Sequence, residues 1–350
     1  MANPRLRNRL NLLKHYVLGH SDVAGTGPMK VTTESTAKCN LFCPMCPREE
    51  IDKPPVNMDL GMFERMVDES GRLLEYITPY GLGEPFLNPQ IFDMIRYCKD
   101  RGIKVGLSSN ATILPDKMCR KIIESGLDYL IFAVDGTTAE VYAKYRKGGD
   151  YGTVCGNIRR FLQVKQELHS SMIVCLQMVR LPDNAHQTDE FVRMWTIPGV
   201  DEVRIKEDET KYEGVGFKPA ANGKKKKYNP CYLLWQGPMY VRVDGEVWPC
   251  CHAWKSESLG NLNDQSLTQI WNGPKMQKLR AAHIGGDVSA YPDCVNCQAP
   301  KPRLPLILGS FVAGSLQVRW AVSFFERLAA LRGVPVWEKI LPARNSKSLD

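Results

Sequence analysis

The chain has 350 residues, 43% hydrophobic and 24% charged, with a formal net charge of +8, long enough to bury a large core and add a smaller unit. A globular composition without repeats excludes fibrous and low-complexity classes, and so moderate a charge suits anionic ligands or a membrane surface without demanding nucleic acid. Neither a recognition helix nor aromatic-and-basic interleaving is present, so no nucleic-acid partner is expected.

In chain order, "MANPRLRNRLNLLKHYVLGH" (1–20) reads as an amphipathic helix, with Leu6, Leu10, Leu13 and Val17 set against Arg5, Arg7, Arg9 and Lys14. Lys14 and His15 break its apolar run and no small-residue cleavage site follows, so it is not a signal peptide and a cytoplasmic location is expected. Twelve cysteines in a reducing compartment then point to metal or redox chemistry, not disulfides. The β-branched run "MKVTTES" (29–35) predicts a strand feeding "STAKCNLFCPMCPRE", where Cys39, Cys43 and Cys46 are spaced C-x3-C-x2-C. A helix over "MFERMVDESGRLL" precedes the strand "YITPYGLGEP", which ends in a glycine turn. The amphipathic "PQIFDMIRYCKDRG", stopped by Gly102, leads to the strand "IKVGLSSN" (103–110) and the helix "DKMCRKIIESG". The strand "DYLIFAVDG" (128–136), the helix "YGTVCGNIRRFLQVKQELH" and the strands "SMIVCLQMV" (171–179) and "DEVRIK" (201–206) complete the series. The alternation predicts an α/β fold, an open parallel (β/α)6 partial barrel. Its chemistry belongs at the carboxyl ends of the strands, where the cysteine loop, "GLGEP", "SSNA" and "VDG" all fall.

Past the basic linker "GKKKKYNP" (223–230), Cys231 and Cys250 are separated by eighteen residues, and Cys294 and Cys297 form a C-x2-C pair. "YVRVDGEVWPC" alternates as a hairpin turning at Asp244-Gly245, which swings Cys250 back towards Cys231. On the residues alone, these four thiolates suit either a zinc ribbon or an iron–sulfur cluster. Cys98, Cys119, Cys155 and Cys175 fall within predicted helices and strands and read as packing residues. The tail "LPLILGSFVAGSLQV" (304–318) runs fifteen residues without charge, too short to span a bilayer. Trp320, Phe324, Leu328 and Leu331 then form a stripe opposite Arg319, Ser323, Glu326 and Arg327. The expected organisation is an N-terminal amphipathic segment (1–28), a barrel (29–217), a small β-hairpin/helix iron–sulfur domain (218–302) and an apolar, amphipathic tail (303–350). The two terminal stripes predict peripheral association with a membrane surface.

Structural zinc takes four protein ligands and a ferredoxin-type cluster four thiolates, so three cysteines leave one iron of a [4Fe–4S] cluster open to a small molecule. The three-cysteine loop resembles the cluster loop of the radical S-adenosylmethionine (radical SAM) enzymes, and the resemblance extends over about residues 29–206. It implies that Cys39, Cys43 and Cys46 carry a [4Fe–4S] cluster whose open iron chelates SAM. One electron then splits the sulfonium, and the 5′-deoxyadenosyl radical takes a hydrogen atom from a substrate. The resemblance also implies SAM contacts: Phe42 before the second cysteine, Gly83 and Glu84 at the ammonium, Ser109 and Asn110 at the ribose, and Arg146 at the carboxylate. Gln177 and Met178 are implied to pass the adenine through their backbone. Leu82 and Ala133 depart from the family's usual glycine and serine.

The second cysteine set resembles the SPASM extension in its shortened "twitch" form. That implies an auxiliary [4Fe–4S] cluster on Cys231, Cys250, Cys294 and Cys297, with Gly245-x4-Cys250 selecting Cys250 over Cys251. The implied function is reductive cleavage of SAM followed by a two-electron oxidation or other modification of a small or lipid-linked substrate, with a flavodoxin or ferredoxin as electron donor. A peptide maturase is the alternative, disfavoured by the roughly 28 residues before the first strand, where such relatives often carry a leader-recognition domain. A non-catalytic iron–sulfur or zinc-binding interaction protein is the alternative from another class.

Overall fold

A computed structural model describes residues 3–50, 54–207, 230–253, 256–295, 297, 304–313 and 338–342. Helix α1 (Pro4–Leu18) is followed by β1 (Lys30–Thr33), α2 (Leu60–Ser70), β2 (Tyr76–Thr78), α3 (Ile91–Asp100), β3 (Lys104–Ser109), α4 (Asp116–Glu124) and β4 (Tyr129–Ala133). Helices α5 (Ala139–Tyr145) and α6 (Tyr151–Glu167) lead to β5 (Ile173–Arg180), α7 (Thr188–Trp195) and β6 (Glu202–Glu207). Strands β1 to β6 pair in sequence order and in parallel, as the partial barrel requires. Their outer face is a continuous apolar layer. Helix α3 buries Ile91, Phe92, Met94, Ile95 and Cys98 on one side, each large apolar side chain contributing about 1.5–3 kcal/mol. Docking of such faces, more than helix propensity, holds the barrel together.

The C-terminal unit comprises α8 (Leu233–Gln236), β7 (Met239–Val241), β8 (Glu246–Trp248), β9 (Gly260–Asn261), α9 (Leu267–Trp271), α10 (Pro274–Gly285) and α11 (Pro292–Val295). β7 and β8 are the expected antiparallel hairpin, and Gly245 at its turn has φ +85°, a left-handed conformation that favours glycine. The fully buried Arg280 of α10 donates to the carbonyls of Leu234 (2.8 Å) and Trp271 (3.0 Å), locking the small unit around its own helices.

Two features go beyond the sequence reading. First, the sheet does not stop at six strands. β7 pairs in parallel with β1, and a strand near the C-terminus, β10 (Glu338–Pro342), pairs antiparallel with β6. Both edges of the barrel sheet are therefore covered, a tertiary arrangement that no local pattern announces. Second, α1 buries Asn8, Leu12 and Tyr16, leaving Leu6, Leu10 and Val17 at 49%, 53% and 60% exposure. Polar anchors set this rotation. The Asn8 amide exchanges hydrogen bonds with the Gly27 backbone (3.0 and 3.1 Å), Tyr16 Oη donates to the Pro230 carbonyl (3.0 Å), and Arg9 pairs with Glu75 (2.7 Å).

The apolar helix α12 (Leu304–Ala313) packs on α1, with the Phe311 and Tyr16 rings 5.6 Å apart. Trp320, Phe324, Leu328 and Leu331 lie outside the described residues. Among the described residues no helix is long and apolar enough to cross a membrane.

Candidate active site

The three-cysteine loop leaves β1 and returns to α2, and its own backbone folds it. The Cys46 N–H bonds the Cys43 carbonyl (2.9 Å), and Arg48 donates to the carbonyls of Cys39 (3.2 Å) and Leu41 (3.1 Å). The loop is tied to the α5–α6 connection by the Phe42 N–H, which donates to the Lys147 carbonyl (2.9 Å). Phe42 itself is 60% exposed, and the Arg48 guanidinium lies 5.5 Å from its ring centroid. All three cysteines are half-buried. Burial pushes the Cys43 thiol up, opposed by Arg146, and pushes the Cys46 thiol up, opposed by the Arg48 backbone. Neutral thiols of this kind ionise when a metal binds them.

The strand ends converge on this loop. Asn110 Nδ2 reaches Cys39 Sγ (4.0 Å) and Asn40 Oδ1 (3.0 Å), while Arg146 Nη1 reaches Cys43 Sγ (3.9 Å). Glu84, only 3% exposed, accepts from Asn110 N (2.7 Å), Ser109 Oγ (2.9 Å) and Phe86 N (3.3 Å). Burial dominates its titration and pushes the carboxyl up to about 7 despite these donors. An ionised carboxylate offers about four lone-pair sites. Acceptor capacity therefore remains for an incoming cation.

Several expected contacts take a different form. Gly83 serves close approach to the protein's own chain: a β-carbon there would overlap the Thr36 carbonyl oxygen and lie 2.8 Å from that of Lys38. The adjacent Glu84 N–H bonds the Lys38 carbonyl (2.8 Å), stitching the "GLGEP" turn to the residue before Cys39. Gly83→Ala is therefore expected to displace the cysteine loop, so that reconstituted protein loses iron from that site while the C-terminal site fills; iron analysis with electron paramagnetic resonance checks it. Arg146 spends Nε and Nη2 on Asp135, both at 2.7 Å, so the bidentate edge expected for a ligand carboxylate is occupied and Nη1 is the part that faces the loop. Burial pushes the Arg146 guanidinium down and the Asp135 carboxylate overrides it, holding the charge in place. Met178 packs outside the barrel, fully buried, whereas Gln177 alternates to the inside. Both backbones lie within the β5–β6 ladder, and the Gln177 carbonyl accepts from Val134 N (2.8 Å), so these peptide groups are engaged in the sheet.

The second cysteine set gathers at the end of the hairpin. Burial pushes the Cys250 thiol well up, and Cys251, Cys231 and Cys297 push it further, so Cys250 lies among the other cysteines. The Cys297 N–H bonds the Cys294 carbonyl (3.3 Å), setting that pair on one turn. Cys250 and its neighbour Cys251 both pack against the buried Tyr240, Trp248 and Ala253. Among the described residues no three His, Cys, Asp or Glu side chains are arranged to enclose one metal ion. Zinc, with Zn–S near ~2.3 Å, draws its thiolates tightly together. Iron–sulfur clusters are held by cysteine thiolates as well, and the donor type of both sets suits them.

Between the two sets lies a contact that the sequence did not disclose. Tyr240 Oη on β7 donates to Glu34 Oε1 (2.5 Å), and Arg242 Nε stands 3.8 Å from Glu34 Oε2. Arg48 and Asp135 were missed as functional candidates too. Only "VDG" at a strand end hinted at Asp135; Glu34 and Tyr240 are 206 positions apart and carried no shared signal.

Comparison with known proteins agrees with this geometry. Residues 33–194 match the radical SAM superfamily model and residues 231–298 match an iron–sulfur cluster-binding domain, SPASM. A tungsten-containing aldehyde ferredoxin oxidoreductase cofactor-modifying protein of Pyrococcus furiosus is 25% identical over 307 residues, 75% of this chain and 85% of its own. Among solved structures, BtrN with AdoMet and 2-DOIA superposes at TM-score 0.52 with 15% identity, covering 77% of this chain and 93% of that one. Streptococcus suis SuiB bound to S-adenosylmethionine superposes at TM-score 0.58 with 13% identity, covering 78% and 71%; it is also solved bound to precursor peptide SuiA. These proteins share the partial-barrel fold. With its three-cysteine loop, its second thiol set and the two matched domains, the chain is a radical SAM enzyme with a C-terminal SPASM domain, whose cofactors are a SAM-binding [4Fe–4S] cluster, an auxiliary iron–sulfur cluster and SAM.

Proposed function

We propose that the protein is a radical SAM oxidoreductase acting on a small or lipid-linked substrate. In this reading Cys39, Cys43 and Cys46 hold the SAM-binding cluster, and Cys231, Cys250, Cys294 and Cys297 hold the auxiliary cluster. The barrel occupies 29–217 and the auxiliary domain 218–302. One observation carries it: three half-buried thiols, the Arg146 guanidinium and the buried Glu84 carboxylate meet at one barrel mouth, and a second thiol group gathers around Cys250 after the β7–β8 hairpin. When bound there, the first cluster would supply the electron for reductive cleavage of SAM, and the second, on its four cysteines, would offer an acceptor for an electron from the substrate.

The chain's own residues bind and orient. Glu84 accepts the SAM ammonium on its remaining lone pairs, and Ser109 and Asn110 keep that carboxylate aimed. Arg146 Nη1 offers one charge-assisted contact to the SAM carboxylate, with Asp135 fixing the guanidinium plane. Phe42 and Gln177 are the further side chains in this reading that border the cosubstrate. A flavodoxin or ferredoxin supplies electrons. The small-substrate reading is supported by likeness to a cofactor-modifying protein and to BtrN. A second reading, peptide maturation, is favoured by likeness to SuiB, which binds a precursor peptide. The deciding test incubates anaerobically reconstituted protein with SAM and dithionite. Release of 5′-deoxyadenosine supports the reading; intact SAM, or stoichiometric zinc at the C-terminal cysteines, overturns it.

The reading also sets the enzyme on an anionic membrane surface. Leu6, Leu10, Val17 and Leu18 are exposed on α1 beside the exposed Arg7 and Lys14, an apolar stripe flanked by positive charge. The protein is expected to co-sediment with anionic vesicles, less so in high salt and not with neutral ones. The Leu6→Gln, Leu10→Gln, Val17→Gln triple variant should stay in the supernatant. Equal sedimentation of the two proteins would remove the helix from this role.

A further inference from the structure

The C-terminal hairpin meets the barrel at one carboxylate. β7 pairs with β1 so that Tyr240 stands opposite Thr32. Glu34, which follows β1 and leads into the three-cysteine loop, takes up the contacts beyond that ladder. Its N–H donates to the Val241 carbonyl (2.8 Å), and its Oε1 accepts from Tyr240 Oη (2.5 Å). Oε2 accepts from Val243 N (3.4 Å), with Arg242 Nε at 3.8 Å. Glu34 and Tyr240 are both buried. A buried carboxylate stays where its donors are, because moving it away leaves polar groups unpaired.

The pair does more than join two strands, since Gly81 lies directly against it. A β-carbon at Gly81 would overlap Tyr240 Oη and lie 2.5 Å from Glu34 Cγ. Gly81 opens the "GLGEP" turn, whose later part is held to the cysteine loop at Gly83 and by the Glu84 N–H. The turn is therefore clamped at two points, by the Glu34–Tyr240 pair at Gly81 and by the Thr36 and Lys38 carbonyls at Gly83. Glu84 extends from it three residues on. Tyr240 also shares a buried cluster with Trp248 and Ala253, against which Cys250 and Cys251 pack. One ring thus links the second thiol set to the turn that carries Glu84. Its hydroxyl is not what keeps the hairpin in place. The backbones of Met239, Tyr240 and Val241 pair with those of Val31, Thr32 and Thr33, and phenylalanine would keep that pairing. The specific effect of the hydroxyl falls on Glu34 and the turn.

We propose that Tyr240 is a positioning residue for SAM: with Glu34, and through Gly81, it fixes the turn that presents Glu84. SAM affinity then depends on a side chain of the C-terminal domain that touches neither SAM nor a cluster iron. The inference rests on the reading of Glu84 as partner of the SAM ammonium.

Tyr240→Phe is expected to weaken SAM binding to the reconstituted holoenzyme about fivefold, the lower end of coupling between linked sites, with iron retained at both clusters. The KM for SAM should rise while the cleavage rate at saturating SAM matches wild type, a split that general loss of packing would not give. Gly81→Ala should weaken binding too. In the Tyr240→Phe background it should do so less than in wild type, because the oxygen its β-carbon meets is gone and contacts that share a partner are not additive. Calorimetric titration of SAM across the four proteins reads this coupling. Wild-type affinity in Tyr240→Phe, losses that simply multiply, or loss of either cluster from Tyr240→Phe overturns the proposal. Glu84→Gln is titrated alongside. Unchanged SAM binding in Glu84→Gln sinks the reading of the turn, whereas weakened binding there with wild-type affinity in Tyr240→Phe sinks the role of Tyr240 alone.

Discussion

Replacing Cys39, Cys43 and Cys46 together with alanine is expected to abolish SAM cleavage and to lower bound iron from roughly eight to roughly four per chain. The expectation follows from the separation of the two thiol groups. The first lies in the loop after β1, and the second gathers around Cys250 at the end of the β7–β8 hairpin. Thiols pushed up by burial, as Cys43 and Cys46 are, carry no charge without metal. Alanine there removes ligands without stranding a buried charge, and the barrel should stay folded. Four irons remaining, with the reduced-cluster resonance of the C-terminal site intact, would match two independent clusters. Loss of all iron would mean that the two sites assemble as one unit. The reciprocal Cys250→Ala variant should spare SAM cleavage.

Much of this arrangement was legible in the sequence because it is local. The six parallel strands fall where β-branched runs between amphipathic helices put them, and the hairpin turn sits at Asp244-Gly245 as its dipeptide indicates. Chemistry collects at the strand ends because a parallel sheet leaves its carboxyl ends open. What escaped is non-local. That β7 extends the barrel sheet beside β1, and that Tyr240 then meets Glu34, depends on a pairing across some two hundred residues. The inward face of α1 has another origin: one buried asparagine bonded in both directions fixes it, while Leu6, Leu10 and Val17 stay exposed. An unsatisfied buried amide costs about 1–3 kcal/mol, comparable to burying a leucine. Gly83 shows the limit of reading a motif, since its missing side chain admits the chain's own carbonyls and its place in the turn does not by itself say so.

Glu84→Gln is expected to weaken SAM binding by well over tenfold, since loss of a buried charge partner costs about 2–5 kcal/mol. The cluster should still assemble, because the bond that anchors the cysteine loop comes from the Glu84 backbone and glutamine keeps it. The pH dependence is the sharper signature. Burial raises the carboxyl from 4.5 to about 7, so in the free protein it is neutral below that value and ionised above it. An ammonium is attracted only by the ionised form, so SAM affinity should rise as pH increases through about 7 and then level. The stability of the SAM-free protein should run the other way. A carboxyl whose folded value is raised contributes stability fully present below 4.5 and lost as pH rises through about 7, because the unfolded chain sheds its proton first. Glutamine has no proton to release, so Glu84→Gln should flatten both profiles, with binding weak at every pH and thermal stability gaining most at the alkaline end. Calorimetric titration of SAM and thermal unfolding, each run across the pH range bracketing about 7, measure the two profiles. A variant that kept the wild-type rise in affinity would assign the titration to another group and leave the ammonium without its partner.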